Sequence, residues 1–466
     1  MAEQFQNTTD FSLKSVAIAR LGETDGYDIK QMVNSFSYVE NVASPFVAAT
    51  MLVVDSAGFM NDLPIQGGET VVVTVQTSST SEPQEYQLSV WRIANRGNQG
   101  KAQVYTLGLV SVEALNNECV RLLKKLEGKP DDIIKKMLRE DLNTQKDFFP
   151  AEATTQFAVK MLPANRRPFD IISSLAVKSV QSGTSTTAGN SGGSSTSNEK
   201  ETVSGSAGYF FWENKRGYNF FSVDSLLDKE KEDIPTWGPY IEKPANQSDG
   251  ADDRFTIAQA TFSSEVDIMT SMRMGKYSSL MVFFNHSTGQ YHEYHYSVRD
   301  AYKDMKHLGA QTSPSLIKFG DKDISDYPTR IISTLIDHES WYNEPGIASF
   351  EEEDGADSPS EFCDFHKHFA AQSLMRYELL KTQMGTVVIP GNSEICAGDR
   401  IEIKLVNKTS TEVAKDQPYD EESSGVYLIE EVTHTYDTTQ GANGKFVTTL
   451  RLMRDSYGDV ESTHGN

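Results

Sequence analysis

The tightest constraint on how this chain folds is strand-type alternation at both of its ends. Near the N-terminus the runs FSLKSVAIAR, YDIKQMVNSFSYVENV and PFVAATMLVVD come first. Gly and Pro then break the pattern in SAGFMNDLPIQGGE, before TVVVTVQT, EYQLSVWRI and AQVYTLGLVSV resume it. Successive side chains of a strand point to opposite faces. In TVVVTVQT this groups Val71, Val73 and Val75. In EYQLSVWRI neither face is cleanly polar, as expected of a strand covered on both sides. Near the C-terminus TVVIPGN, DRIEIKLVN, GVYLIEEVTHTYD and KFVTTLRLM read as four further strands. There Ile401, Ile403 and Leu405 alternate with Glu402 and Lys404, and the Gly-rich loop TTQGANG joins the last two strands. Short β-branched and aromatic strands at this spacing predict a sandwich or barrel at each end. No strict sequence repeat relates the two ends, so the echo between them is architectural.

The stretch between them is mixed. A helix is predicted over NNECVRLLKKLEG, with Gly128 as its C-cap. Pro130 and Pro168 open two more, DDIIKKMLREDL and FDIISSLAVKSV. The run from Gln181 to Gly208, QSGTSTTAGNSGGSSTSNEKETVSGSAG, has no aromatic residue and one Val. Such a composition buries too little apolar surface to offset its ordering entropy, and it reads as a flexible loop. Beyond it, YFFWENKRGYNFFSV reads as a hairpin turning over Asn214 to Gly217. SEVDIMTSMRMG reads as a helix, and SLMVFFNH and QYHEYHYSV as paired strands. Ser358-Pro359-Ser360-Glu361 is a capping box opening a helix to about Lys381, with Phe362, Phe365, Phe369 and Leu380 on one stripe. The predicted class is α+β. A β-domain over 1–115 is followed by a helical insertion over 116–180 and the Ser/Gly-rich loop over 181–208. A mixed α/β domain over 209–357, a long helix over 358–384 and a β-domain over 385–466 complete it.

A chain of 466 residues is too long for one ordinary core. Its 43 basic and 66 acidic residues give a formal charge of -23, which repels phosphate backbones and argues against specific nucleic-acid recognition. The same charge suits a wall past which DNA slides. No apolar run is long enough to span a membrane, and MAEQFQNTTDFSL has no secretory pattern. Cys119, Cys363 and Cys396 form no CxxC and read as buried thiols of a reduced protein. His292 and His295 fall on opposite faces of a strand; Cys363 and His366 can share a helix face, but His368 lies on another side, so a helix with two histidines beside its apolar face is expected rather than a metal site. The acidic run EEEDGADSPSE lacks the oxygen spacing of a calcium loop. Trp212, in the aromatic strand YFFWE, reads as a core or subunit contact rather than a sugar platform. No nucleophile elbow, zinc-protease or phosphate-loop motif is present. The expectation is no enzyme, no cofactor and no metal.

Three stretches carry a resemblance. NSFSYVENVASPFVAATMLVVDSAGFMNDLPIQGGETVVVTVQT, YFFWENKRGYNFFSVDSLL and the pairing of AGDRIEIKL with GVYLIEEVTHTY are similar to the baseplate hub proteins of contractile-tailed bacteriophages. The resemblance runs through most of the chain in order; the Ser/Gly loop lies outside it. It implies two tail-tube-like β-barrel domains flanking helical and mixed α/β middle domains. It implies a homotrimeric ring that adapts the sixfold tail tube to a threefold central spike and lines the DNA channel, in the virion tail baseplate, after synthesis in the host cytoplasm. Implied partners are the central spike, tail tube, tape-measure and neighbouring baseplate wedge proteins, with DNA passing unrecognised. Candidate subunit contacts are Val71, Val73, Val75, Ile401, Ile403, Leu405 and Trp212. The alternatives are a tube-completing protein, a tail-tip wall-degrading enzyme or carbohydrate-binding module, and a cellular contractile injection system.

Overall fold

The computed structural model describes residues 5–458 apart from 183–200, 244–252, 286–290, 337–367, 409–418 and shorter gaps of one to four residues. The class is α+β, and sheet predominates. The N-terminal runs form β1 (Phe11–Ala19), β2 (Val33–Asn41), β3 (Ala48–Asp55), β4 (Thr70–Thr77), β5 (Gln84–Gln99) and β6 (Ala102–Val110). They lie in the order β2-β3-β6-β5-β4-β1 with every pair antiparallel.

Helices α1 (Val112–Cys119), α2 (Pro130–Glu140) and α3 (Pro168–Lys178) follow, the last two with Pro in the first turn as predicted. The helix expected over NNECVRLLKKLEG is not formed as such. α1 starts earlier and stops at Cys119, and Leu126–Gly128 is a short strand paired with Val159–Met161. Extended backbone here buries Leu122 and Leu126 while Leu123 stays 68% exposed, and Leu122 bridges to Arg166. The hairpin β7 (Tyr209–Asn214) and β8 (Gly217–Ser222) packs onto α2 and α3. Within the Ser/Gly-rich run, Glu201–Val203 pairs in parallel with Tyr294–Tyr296.

Next come β9 (Thr236–Glu242), β10 (Gln259–Ser263), α4 (Ile268–Met274), β11 (Ser278–Asn285), β12 (Tyr291–Ser297) and β13 (Arg330–Ile336). α4 ends at left-handed Gly275, and β11 and β12 pair antiparallel as read from sequence. The capping box at Ser358 to Glu361 lies outside the described residues. Of the long helix, α5 (Gln372–Leu380) is described, set off by a turn at 370–371 from helical residues 368–369. β14 (Gln383–Pro390), β15 (Arg400–Lys404), β16 (Gly425–Asp437) and β17 (Lys445–Arg454) are the four expected C-terminal strands.

β9 and β10 come from the middle of the chain, yet they pair with β15 and β14. Apart from the two-residue strands Tyr27–Asp28 on β1 and Thr256–Ile257 on β9, each unit has six strands, those of the C-terminal unit in the order β10-β14-β17-β16-β15-β9. Numbered by appearance within each unit, both orders read 2-3-6-5-4-1. One difference is that β9 runs parallel to β15, whereas β1 is antiparallel to β4. No closed barrel is present among the described residues. Instead β16 pairs with β2 and fuses the two units into one open sheet of 14 strands. Each unit folds over its own apolar cluster. The β16–β17 hairpin enters both: Val432, Leu450 and Leu452 belong to the C-terminal core, and Tyr436 and Phe446 plug the N-terminal one.

Candidate functional site

The seam between β16 and β2 is where sequence-distant parts of the chain converge. Seven residue pairs, from Glu431 opposite Asn41 to Asp437 opposite Ser35, join the strands antiparallel. Alternation gives the seam two unlike faces.

Two rows of the outward face carry no charged side chain. One row crosses the sheet as Pro390, Val447, Thr435, Ser37, Thr50 and Gly108, each opposite the next. A second row reads Val388, Thr449, Thr433, Val39 and Ala48. Small hydroxyl and aliphatic side chains fill both rows, and the hydroxyls of Ser37 and Thr435 stand 3.4 Å apart across the seam. Charges flank these rows: Arg451 lies 3.7 Å from Glu431, which accepts from Asn41 Nδ2 at 2.8 Å, Asp437 stands opposite Lys445, and Arg92 stands opposite Gly108. In a chain of charge -23 this is an unusual stretch of surface. It offers phosphates neither attraction nor strong repulsion.

The inward face is a buried polar lock. His434 Nε2 donates to the Ile395 carbonyl at 3.2 Å, because a carbonyl only accepts; Nδ1 then accepts from Thr448 Oγ1 at 3.0 Å. That is a neutral imidazole, and burial pushes its pKa down to about 3. Tyr38 stacks on this ring and donates to Glu40 Oε1 at 3.1 Å. Glu40 also accepts from the backbone N–H of Lys215 at 2.7 Å and of Ala397 at 2.9 Å. One carboxylate thereby ties β2, the tip of the β7–β8 hairpin and the loop before β15. Burial pushes its pKa up to about 7, against these hydrogen bonds. Alongside, Arg216 forms a two-pronged ion pair with Asp399 at 2.7 and 2.8 Å, and the Lys215 ammonium donates to the Ser393 carbonyl. Trp212 donates to the Ala397 carbonyl at 2.9 Å and lies against Gly398. Gly398 has φ +89°, and a Cβ there would sit 2.2 Å from the indole, so the turn and the tryptophan fix each other.

The residues expected at subunit contacts are placed differently. Val71, Val73, Val75, Ile401 and Ile403 are fully buried, Leu405 and Trp212 nearly so, all inside the chain's own cores. The apolar face of each strand is covered by its own unit, which leaves the reverse face and the unpaired strand edges for any partner. His295 donates to or accepts from Ser278 Oγ at 2.8 Å, and His368 is buried against Phe157. Cys363 and His366 lie outside the described residues; Cys396 is buried and Cys119 exposed. Among the described residues no group of three or more His, Cys, Asp or Glu is placed to hold a metal ion. No helix among them is long and apolar enough to cross a membrane.

Sequence reading missed Glu40, His434 and the fusion of the two units. The signal for the first two was present as polar residues on the inward parity of strands, Tyr38 and Glu40 in β2 and His434 in β16.

No family model matches this chain, and no curated protein matches it. Several solved structures are similar. A tail protein from Neisseria meningitidis has a TM-score of 0.48 at 10% identity, covering 95% of this chain and 96% of that one. The 43 kDa tail protein of prophage MuSo2 from Shewanella oneidensis has a TM-score of 0.46 at 8% identity, covering 95% and 99%. The PdpA–VgrG complex of Francisella has a TM-score of 0.45 at 9% identity, covering 98% of this chain and 56% of that one. These structural neighbours are phage tail proteins and a VgrG complex.

Proposed function

We propose that this chain is a non-enzymatic baseplate hub of a contractile phage tail, acting as a homotrimeric ring between tail tube and central spike. The observation that carries the reading is the repeated strand order 2-3-6-5-4-1 in two units fused edge to edge through β16 and β2. A chain with two like sheet units presents six of them in a threefold ring, the arithmetic needed to match a sixfold tube to a threefold spike. In that ring the uncharged rows of Ser, Thr, Val and Gly would face the lumen, and with few cations beside them DNA would pass without being held. The tape-measure end would share that lumen, wedge proteins would meet the outside, and the virion tail would be its location.

The test is negative-stain electron microscopy of the purified chain, alone and with a co-expressed spike candidate. A threefold ring with a central opening is expected. Compact single particles in both samples would remove the hub reading and return the enzyme and binding-module alternatives to assay.

A further inference from the structure

The internal seam has two halves, and the same two halves stand unfilled elsewhere in the sheet. Within the chain, the distal part of β16, the fifth strand of its unit, pairs with β2, the second strand of the other unit. The fifth strand of the N-terminal unit is β5, and the second strand of the C-terminal unit is β10. β5 pairs with β4 only over Gln84–Ser89, so beyond Val90 its outer edge has no strand partner among the described residues. β10 pairs with β14 alone. From β5 through β6, β3, β2, β16, β17 and β14 to β10 every pairing is antiparallel, so these two edges run in opposite directions.

We infer that the Trp91–Gln99 edge of one copy docks against the Gln259–Ser263 edge of a second copy, repeating between chains the seam made by β16 and β2 within one. This rests on the ring reading and names its interface. The contact is head-to-tail, and it places each new strand antiparallel to its neighbour, as the internal seam does. Charge is complementary. No carboxylate occurs from Tyr86 to Val112, while Arg92, Arg96 and Lys101 fall there. Among the described residues flanking β10, Glu242, Asp253 and Asp267 stand against Lys243 and Arg254. A bulge between Val90 and Arg92 turns both Trp91 and Arg92 onto the outward face opposite Gly108. Trp91 is 53% exposed, yet it is seated: a Cβ on Gly108 would stand 2.9 Å from the indole nitrogen. A large aromatic already held in place loses little entropy on contact, as an interface anchor requires.

Light scattering on Arg92→Glu/Arg96→Glu tests this, because both side chains are exposed and the variant should keep the wild-type circular dichroism spectrum. The expected result is a loss of oligomer at concentrations where the wild type is assembled. An unchanged oligomer overturns the proposed edge while leaving the ring reading intact. A wild type that stays monomeric overturns both. A second measurement uses Arg96→Cys and Thr261→Cys with a flexible bismaleimide, in a chain with Cys119 and Cys363 replaced by Ser. Covalent dimers and trimers are expected when both cysteines are present and neither product with one alone. Cross-linking by Arg96→Cys alone would mean that β5 meets β5, and would overturn the inference.

Discussion

The two sheet units share a strand order but bury charge in different ways. The charged groups buried in the N-terminal unit are carboxylates: Asp10, Glu40, Asp55 and Glu69. Three of them close turns within a few residues of themselves. Asp10 accepts from the N–H of Asn7, Asp55 from Ala57 and Gly58, and Glu69 from Gln66 and Gly67. The C-terminal unit also buries arginines that reach far along the chain. Arg400 donates to the carbonyls of Asp228, Lys231 and Ile234, and Arg454 to those of Glu422 and Ser424. Beneath it, Arg376 joins Asp224 at 2.7 Å and Asp455 at 2.8 Å. A carboxylate suits the unpaired N–H groups of a local turn, and a guanidinium suits several carbonyls converging from a loop. The N-terminal unit is thus braced locally, whereas the C-terminal unit is assembled from segments brought together across the middle of the chain.

Arg400 is where that difference is largest. Truncation in Arg400→Ala leaves three carbonyls at Asp228, Lys231 and Ile234 without their donor and opens a void under β15. Roughly 3–5 kcal/mol of stability should be lost. Chemical denaturation followed by hydrogen exchange should show the loss in amides of 228–242 and 400–405, with the β1–β4 ladder retained longest. Uniform loss across both units would mean that the units unfold as one and that the local-versus-distant contrast has no energetic counterpart.

A smaller effect sits on the seam itself, where the two units meet. Glu40 has its pKa raised to about 7 from an ordinary 4.5, so its contribution is fully present below 4.5 and lost as pH rises through 7. His434 has its pKa lowered to about 3 from an ordinary 6.5, so its contribution is present above 6.5 and lost as pH falls through 3. Between 4.5 and 6.5 the two slopes oppose each other. Replacing His434 by Gln should unmask the Glu40 slope: relative to wild type, stability falls with rising pH across that window by up to about 1.4 kcal/mol per pH unit. Glu40→Gln should give the opposite slope. Differences from wild type that are flat in both variants would mean that neither group is held in the buried state described.

How much of this was legible beforehand follows the same division. TVVVTVQT is β4 residue for residue, and the four C-terminal strands fall where alternation put them, because each is half-buried along its whole length. β9 and β10 read as part of the middle, since nothing local in TWGPYIE or QATFS reports a partner more than a hundred residues away. DRIEIKLV indicated which face of β15 is apolar. It gave no sign that Arg400, on the other parity, is also buried, because the loop of 228–234 that covers it is remote in sequence. The same limit applies to the site. Val71 and Ile401 were correctly marked as apolar strand positions, but whether a face is covered by the same chain or by another is a tertiary fact. Trp91 could have been singled out as the lone tryptophan in a stretch without carboxylates.

The smallest expected effect is the sharpest check on local bracing. Glu69 is buried and accepts from the N–H of Gln66 at 2.7 Å and of Gly67 at 2.9 Å, closing the turn into β4. Its backbone accepts from Val90, and the N–H of Gly68 donates to the Val90 carbonyl at 2.7 Å, so the turn also pins the residue at which β5 becomes an open edge. Glu69→Gln keeps one acceptor and turns the other into a donor facing an N–H group. The loss should be about 1–2 kcal/mol, the range for a hydrogen bond to a charged acceptor. Because the partners are two and three residues away, faster amide exchange should be confined to Gln66–Gly68 and Val90. If exchange instead quickens along β16 and β17 as well, the turn is coupled through the Tyr436 and Phe446 plug to the other unit. The N-terminal unit would then owe its stability to distant contacts just as the C-terminal unit does.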